Sequence, residues 1–117
     1  MGSSELLTVD VGTRGDVVVV SVRGELDLAT VPVLRERLDN LGQKAGSRLV
    51  VDLTALTFIG SAGLALLVDL HNRCKEQNTS LAIVATGSVV PRAIQVTALD
   101  QVLSVHSSVE EAITGNA

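Results

Sequence analysis

The fold is decided by the stretch Leu53-Thr54-Ala55-Leu56-Thr57-Phe58-Ile59-Gly60-Ser61-Ala62-Gly63-Leu64. It follows residues 48–52, which have the pattern of a buried strand, and it opens a run of apolar residues at helical spacing. The sequence therefore predicts that the chain turns from strand to helix at Ser61. The first amides of a helix lack partners and carry a partial positive charge, so an anion on Ser61 would be stabilised there. Three roles are open for this serine: a helix cap, a nucleophile or a phosphorylation switch.

Length and composition predict one domain with an aliphatic core. The chain has 117 residues, of which 46% are hydrophobic and 19% charged, so it can bury a core. We expect a single domain over residues 1–117, with an ordered core from about residue 5 to residue 114 and a frayed end. Phe58 is the only aromatic residue, and the net charge is -4. Both features argue against a nucleic-acid partner, which favours basic and aromatic surfaces.

The chain contains a single cysteine, Cys74, so no internal disulfide and no cysteine-based metal site are expected. Its position on an apolar helical stripe indicates a core residue. The first residues, MGSSE, lack the basic and apolar regions of a signal peptide, and no apolar run approaches the length of a membrane span. We therefore expect a cytoplasmic protein with no membrane partner.

The first part of the chain predicts a β-hairpin. Residues 7–11 alternate between apolar and polar, as in a half-buried strand, and residues 12–15 read as a turn. Residues 17–22 are the second strand. Residues 24–27 are predicted to be a loop.

A first helix is predicted to begin with Thr30 as its cap and Pro32 in its first turn, where the missing amide costs little. Its apolar stripe includes Leu34, and the helix is expected to end at Gly42 and Gly46. Its stripe continues through these residues: Leu38, Leu41 and Ala45.

Further helices and strands alternate along the rest of the chain. A second helix is predicted from Ser61 to about residue 77, followed by a strand at 81–84 and a helix at 88–97 capped by Ser88. Residues 102–105 are predicted to form a short final strand or an extended segment. The last helix is preceded by a capping-box pattern formed by these residues: Ser107, Ser108, Glu110 and Glu111.

This order predicts an α/β fold. Strands that alternate with helices of this length imply crossover units and a mostly parallel sheet. We expect four to five strands, an N-terminal hairpin and about four helices.

At this level the chain resembles the STAS domain family, in particular the anti-anti-sigma factors, also called anti-sigma factor antagonists. The resemblance covers nearly the whole chain and rests on ordered signatures: Gly24-Glu25-Leu26-Asp27, Thr30-x-Pro32-x-Leu34, Asp52-Leu53-Thr54, Phe58-Ile59-Gly60-Ser61-Ala62-Gly63-Leu64 and Thr97-Ala98-Leu99-Asp100. No single tetrapeptide is specific, but the set at these spacings is.

The resemblance implies a regulatory binding protein, not an enzyme, that needs no cofactor. It would bind an anti-sigma factor and so free a sigma factor to activate transcription. In members of the family the anti-sigma factor is also an ATP-dependent serine kinase, and a phosphatase reverses the modification. By position the phosphorylated serine is Ser61.

The resemblance also implies the partner-binding residues, which are Glu25, Asp27, Phe58, Ile59, Gly60, Ser61, Ala62, Gly63 and Leu64. The family motif often reads Asp-Ser-Ser/Thr-Gly-Leu. Here Gly60 and Ala62 replace the acidic residue and the second hydroxyl, while the serine, glycine and leucine remain.

Plainer interpretations exist for several of these residues. Asp27 can be a solvated loop residue instead of a rim carboxylate, and Asp52 can satisfy nearby amides. At least one of Phe58 and Ile59 is expected in the core. His71 and His106 lack paired ligands, which argues against a metal site.

Other functions remain open. A STAS scaffold that binds a different partner would use Ser61 only as a cap. A hydrolase would need Ser61 as nucleophile with His106 as its base, but the pattern differs from the Gly-x-Ser-x-Gly elbow by one position. A phosphoacceptor receiver domain would use Asp52 but lacks the other acidic residues and the lysine.

Overall fold

The computed structural model describes residues 6–41 and 47–114. These residues form five strands, four α-helices and a short 3-10 helix. In chain order they are β1 (Leu7–Arg14), β2 (Val17–Leu26), α1 (Val31–Asp39), β3 (Arg48–Ile59), α2 (Ser61–Glu76), β4 (Ser80–Val84), α3 (Val89–Val96), the 3-10 helix (Leu99–Gln101), β5 (Val105–His106) and α4 (Val109–Thr114).

The strands form one sheet in the order β1-β2-β3-β4-β5. The β1–β2 pair is antiparallel and the other three pairs are parallel. The predicted fold class is therefore confirmed. Because sequential parallel strands joined by right-handed crossovers carry their helices on one side, α1, α2 and α3 share a face of the sheet. The helix α4 follows the last strand and lies on the opposite face.

The core is divided by the sheet. The larger part lies under α1, α2 and α3, where Leu34, Leu67 and Ile94 are almost fully buried against the strands. The smaller part lies under α4 and is formed by these residues: Val17, Val50, Val84 and Ala112. Aliphatic side chains fill both parts, as the lack of aromatic residues predicts. Cys74 is 4% exposed, which confirms its predicted place in the core.

The strand β3 is longer than its sequence pattern predicts, because it continues past residue 52 to Ile59. The register of its pairing with β2 shifts twice, so β3 carries two extra residues relative to its neighbour. As a result the buried residues of this segment are Leu53, Leu56 and Ile59, three apart instead of two. Because of the bulges, apolar and polar residues do not alternate strictly along this part of β3, so the sequence pattern does not predict it as a strand.

The hairpin is also longer than predicted. The first strand reaches Arg14 and the loop contains only Gly15 and Asp16, so residues 12–14 are strand and not turn. The second strand runs to Leu26, which makes the predicted loop at 24–27 wrong except at its last residue. Gly24 allows this continuation because its φ of 110° lies in a region that side chains rarely adopt.

The helix α1 starts as predicted but ends earlier, at Asp39. The predicted stop at Gly42 and Gly46, with Ala45 on the stripe, lies outside the described residues. Thr30 and Ser88 occupy the N-cap positions of α1 and α3, but neither side chain caps its helix. The prediction of side-chain capping is therefore wrong for both.

The end of the chain differs from the prediction in one element. The final strand is only Val105–His106, because Ala98, with φ 60°, starts a tight turn into the 3-10 helix. The capping box before α4 is confirmed in part, because Ser108 caps Glu111 N while the Glu111 carboxylate reaches the amide of Ser107 instead of that of Ser108. Ser108 Oγ accepts from Glu111 N at 3.0 Å, and Glu111 Oε1 accepts from Ser107 N at 2.8 Å. Within the part of the chain that is described, no helix is long and apolar enough to cross a bilayer.

Replacing Gly24 by Ala should destabilise the protein by about 3 kcal/mol, because a Cβ there meets an unfavourable φ and displaces the backbone. The Cβ would lie 2.1 Å from Leu6 O, which accepts the hydrogen bond of Glu25 N. Chemical denaturation measures the loss. Gly12→Ala in the same hairpin is the control, since its Cβ meets nothing within 4 Å. Equal stability of the two variants would contradict the close approach at Gly24.

The thiol of Cys74 should be unreactive in the folded protein. Burial raises the pKa of this thiol, which keeps it protonated as well as inaccessible. We expect Ellman's reagent at pH 8 to label Cys74 at least a hundredfold more slowly in buffer than in denaturant. Rapid labelling of the native protein would show that the C-terminal half of α2 unfolds locally and exposes the thiol.

Candidate functional site

Ser61 lies at the edge of the sheet where the parallel strands β2 and β3 end together. The last register pair is Leu26 with Ile59, and Gly60 N then donates to Leu26 O at 2.9 Å. The backbone is therefore fixed up to the residue before Ser61. This edge is where open α/β sheets commonly place their binding sites.

The N-cap of α2 is Gly60 and not Ser61. The carbonyl oxygen of Gly60 accepts from Gly63 N at 3.0 Å and from Leu64 N at 3.1 Å, which makes Ser61 the first helical residue. The cap role for Ser61 is therefore wrong. The Ser61 side chain is exposed, and its hydroxyl has no hydrogen-bond partner in the described residues. With no acidic residue in the first turn, the positive end of the helix is uncompensated.

Two exposed apolar side chains lie near the same ends of β2 and β3 as the serine. Phe58, the second-last residue of β3, is 48% exposed, and Leu28 is 81% exposed in the segment that follows β2. Glu25 lies opposite Phe58 in the register of the two strands. We call Glu25, Leu28, Phe58, Gly60 and Ser61 the strand-end surface. Leu28 was not among the predicted partner-binding residues. Leu26 and Leu28 are both apolar and two residues apart, so the sequence pattern does not show that only Leu28 is exposed.

Buried residues hold this surface from below. Ile59 is 8% exposed and lies in the core, which confirms that at least one of the two apolar residues before Gly60 is buried. Gly63 is buried where a Cβ would lie 2.9 Å from Ile59 Cγ1 and 3.0 Å from Leu26 Cγ and Cδ2. The absence of a side chain at Gly63 therefore lets α2 start close to the strand ends. Ala62 and Leu64 are partly buried against the same core.

Asp27 is engaged inside its own turn. Its Oδ1 accepts from Ala29 N at 3.0 Å and from Thr30 N at 3.2 Å, which satisfies amides ahead of α1. Thr30 Oγ1 in return accepts from Asp27 N at 2.9 Å and donates to Glu25 O at 2.8 Å. The carboxylate thus orders the loop that carries Leu28. A contact of Asp27 with a partner stays a prediction.

The remaining candidates have structural partners. Asp52 Oδ1 accepts from Thr54 N at 3.0 Å and from Thr54 Oγ1 at 2.8 Å, as the plainer interpretation predicts. His106 Nε2 is 3.0 Å from Ser104 Oγ, and its Nδ1 is 3.6 Å from Glu111 Oε1. His106 therefore belongs to the cap of α4 and is not hydrogen-bonded to Ser61. This arrangement removes the base that a Ser61 hydrolase would need.

Comparison with known proteins identifies the family. A family model described as the STAS domain matches residues 8–112. The chain belongs to the STAS domain family, which confirms the resemblance seen in its motifs.

Individual relatives share a regulatory name. The chain is 34% identical over 115 residues to the anti-sigma-F factor antagonist RsfB of Mycobacterium tuberculosis, covering 98% of this chain and 93% of RsfB. An anti-sigma factor antagonist from Mycobacterium paratuberculosis has a similar crystal structure, with 30% identity, a TM-score of 0.87, and coverage of 98% and 97%. The unphosphorylated form of the anti-sigma factor antagonist SpoIIAA has the same fold, with 20% identity, a TM-score of 0.72, and coverage of 91% and 93%.

Asp27→Ala should lower the free energy of unfolding by about 1 kcal/mol, because the Ala29 amide loses its acceptor and the Thr30 amide keeps only its bond to Asp27 O. Glu25→Ala, which removes a carboxylate without an ion pair in the described residues, should change it by less than about 0.5 kcal/mol. Thermal and urea denaturation measure both. Asp27→Asn keeps an acceptor oxygen and should behave like the wild type. Equal losses for Asp27→Ala and Glu25→Ala would argue against the structural role.

Proposed function

We propose that this protein is an anti-sigma factor antagonist that binds an anti-sigma factor through the strand-end surface and so releases a sigma factor. The names of its relatives support this role. The observation that carries it is the exposed group of Ser61, Phe58 and Leu28 at the end of two parallel strands. The proposal places the protein in the bacterial cytoplasm, where sigma factors act.

We further propose that phosphorylation of Ser61 switches this binding. The partner would then be an ATP-dependent serine kinase, and a phosphatase would restore the unmodified form. The exposed, unpaired hydroxyl supports this, because a kinase needs access to the oxygen.

The physical effect of a phosphate on Ser61 differs between the protein and the complex. In the free protein a phosphate adds about -1.5 to -2 charges at the positive end of α2, which stabilises it by about 0.3–1 kcal/mol. The fold should therefore survive phosphorylation. In the complex the same charge would be desolvated, with no cation among the residues of the strand-end surface to pair with it. A difference of a few kcal/mol in binding free energy between the unmodified and phosphorylated forms is enough to dissociate most of the complex.

Ser61→Asp should weaken binding to the anti-sigma factor by at least about tenfold, equal to 1.4 kcal/mol, while Ser61→Ala should bind within about twofold of the wild type. Isothermal titration calorimetry with the purified anti-sigma factor measures both. Ser80→Asp is the matched control, because Ser80 is exposed at the start of β4, at the opposite end of the parallel strands. It should bind like the wild type.

The kinase step has a separate test. Incubation with the anti-sigma factor and ATP should add one phosphate to the wild type, at Ser61 by peptide mass spectrometry, and none to Ser61→Ala. Binding without phosphorylation would leave an antagonist whose switch is not Ser61. Failure to bind any anti-sigma factor would instead favour the STAS scaffold with another partner.

A further inference from the structure

The ring of Phe58 lies across the backbone of Gly60. A Cβ added to Gly60 would lie 3.3 Å from Phe58 Cε2 and 3.5 Å from Phe58 Cζ. Residues 58 and 60 are two apart on an extended segment, so both project to the same side of the strand. The far end of the ring thus occupies the space that a larger side chain at position 60 would use.

This arrangement is a property of this chain's glycine. A Cβ at this position would displace the half-exposed ring of Phe58 by a few tenths of an ångström. A longer side chain directed at the ring would displace it further. The φ of -100° and ψ of -177° at Gly60 suit any residue, so the backbone does not require glycine there.

Glycine is a weaker N-cap for this helix than Asp, Asn or Ser. Asp, Asn or Ser at an N-cap accepts a hydrogen bond from the first free amides, whereas glycine cannot. No side chain among the described residues caps α2 in its place. Gly60 therefore lacks a capping side chain and is also the residue that the exposed ring of Phe58 contacts.

We propose that Gly60 determines partner specificity by allowing Phe58 to lie over the turn, so that Phe58 becomes the apolar anchor beside Ser61. This inference rests on the proposed function and names the chemistry of its partner. The partner surface would have an apolar pocket for the ring.

The free protein offers the first test. Because Phe58 is the only aromatic residue among Phe, Tyr and Trp, its ring protons are unambiguous in an NMR spectrum. We expect nuclear Overhauser contacts from the Phe58 ring to Gly60 Hα, and a Gly60 Hα shift that moves toward its random-coil value in Phe58→Leu. Absence of these contacts would overturn the proposal.

A double-mutant cycle with the anti-sigma factor offers the second test. Gly60→Asn displaces the ring without adding charge and supplies a good N-cap, so the melting temperature should stay level or rise. We expect it to weaken binding at least tenfold in the wild-type background and less than twofold in a Phe58→Ala background. Gly12→Asn, in the hairpin at the opposite end of β2, is the control and should bind like the wild type.

The outcomes separate the two proposals. If the wild type binds and Gly60→Asn binds equally well, or if its effect is the same with and without Phe58, the role of Gly60 is wrong and the proposed function stands. If the wild type binds no anti-sigma factor, the proposed function fails and this inference fails with it. Normal melting of Gly60→Asn excludes misfolding as the cause of a loss.

Discussion

The position of the candidate site depends on the pairing of β2 with β3 beyond the point where β4 ends. The last β3–β4 pair is Asp52 with Val84, yet β2 continues beside β3 to Leu26 and Ile59. The two bulges keep Leu53, Leu56 and Ile59 facing the core along this extension. Without that pairing the segment before Ser61 would be a loop. With it, the turn into α2 has a backbone fixed by hydrogen bonds on one side.

Two glycines make this geometry possible for different reasons. Gly24 has a φ of 110° and lies against Leu6 O, so it lets β2 pass the bulge while the hairpin stays closed. Gly63 has an ordinary helical backbone but no room for a Cβ between Ile59 and Leu26. The first is required by its dihedral angle, and the second by the close approach of α2 to the strands.

The site consists of exposed residues supported by a layer of buried ones. Leu26, Ile59 and Gly63 are buried, while Phe58 and Leu28 remain in solvent above them. Exposed apolar groups at a fixed strand edge suit a protein partner, and a free hydroxyl at a helix N-terminus suits a phosphate. The two ion pairs Arg35–Asp69 and Arg73–Asp39 lie between α1 and α2, along the helices, so they join these helices without charging the strand ends.

The sequence by itself determined the α/β class, the hairpin, the strand-to-helix turn at Ser61 and the family, because alternation, helical spacing and ordered motifs are local signals. It did not determine the length of β3, since bulges broke the alternation. Nor did it decide which residues cap the helices: Gly60 is the N-cap of α2 instead of Ser61, and Thr30 is the N-cap of α1 without a hydrogen bond from its side chain to the helix. Only the tertiary structure decided these points, because capping and exposure depend on which groups are neighbours in the folded protein and not on their spacing along the chain.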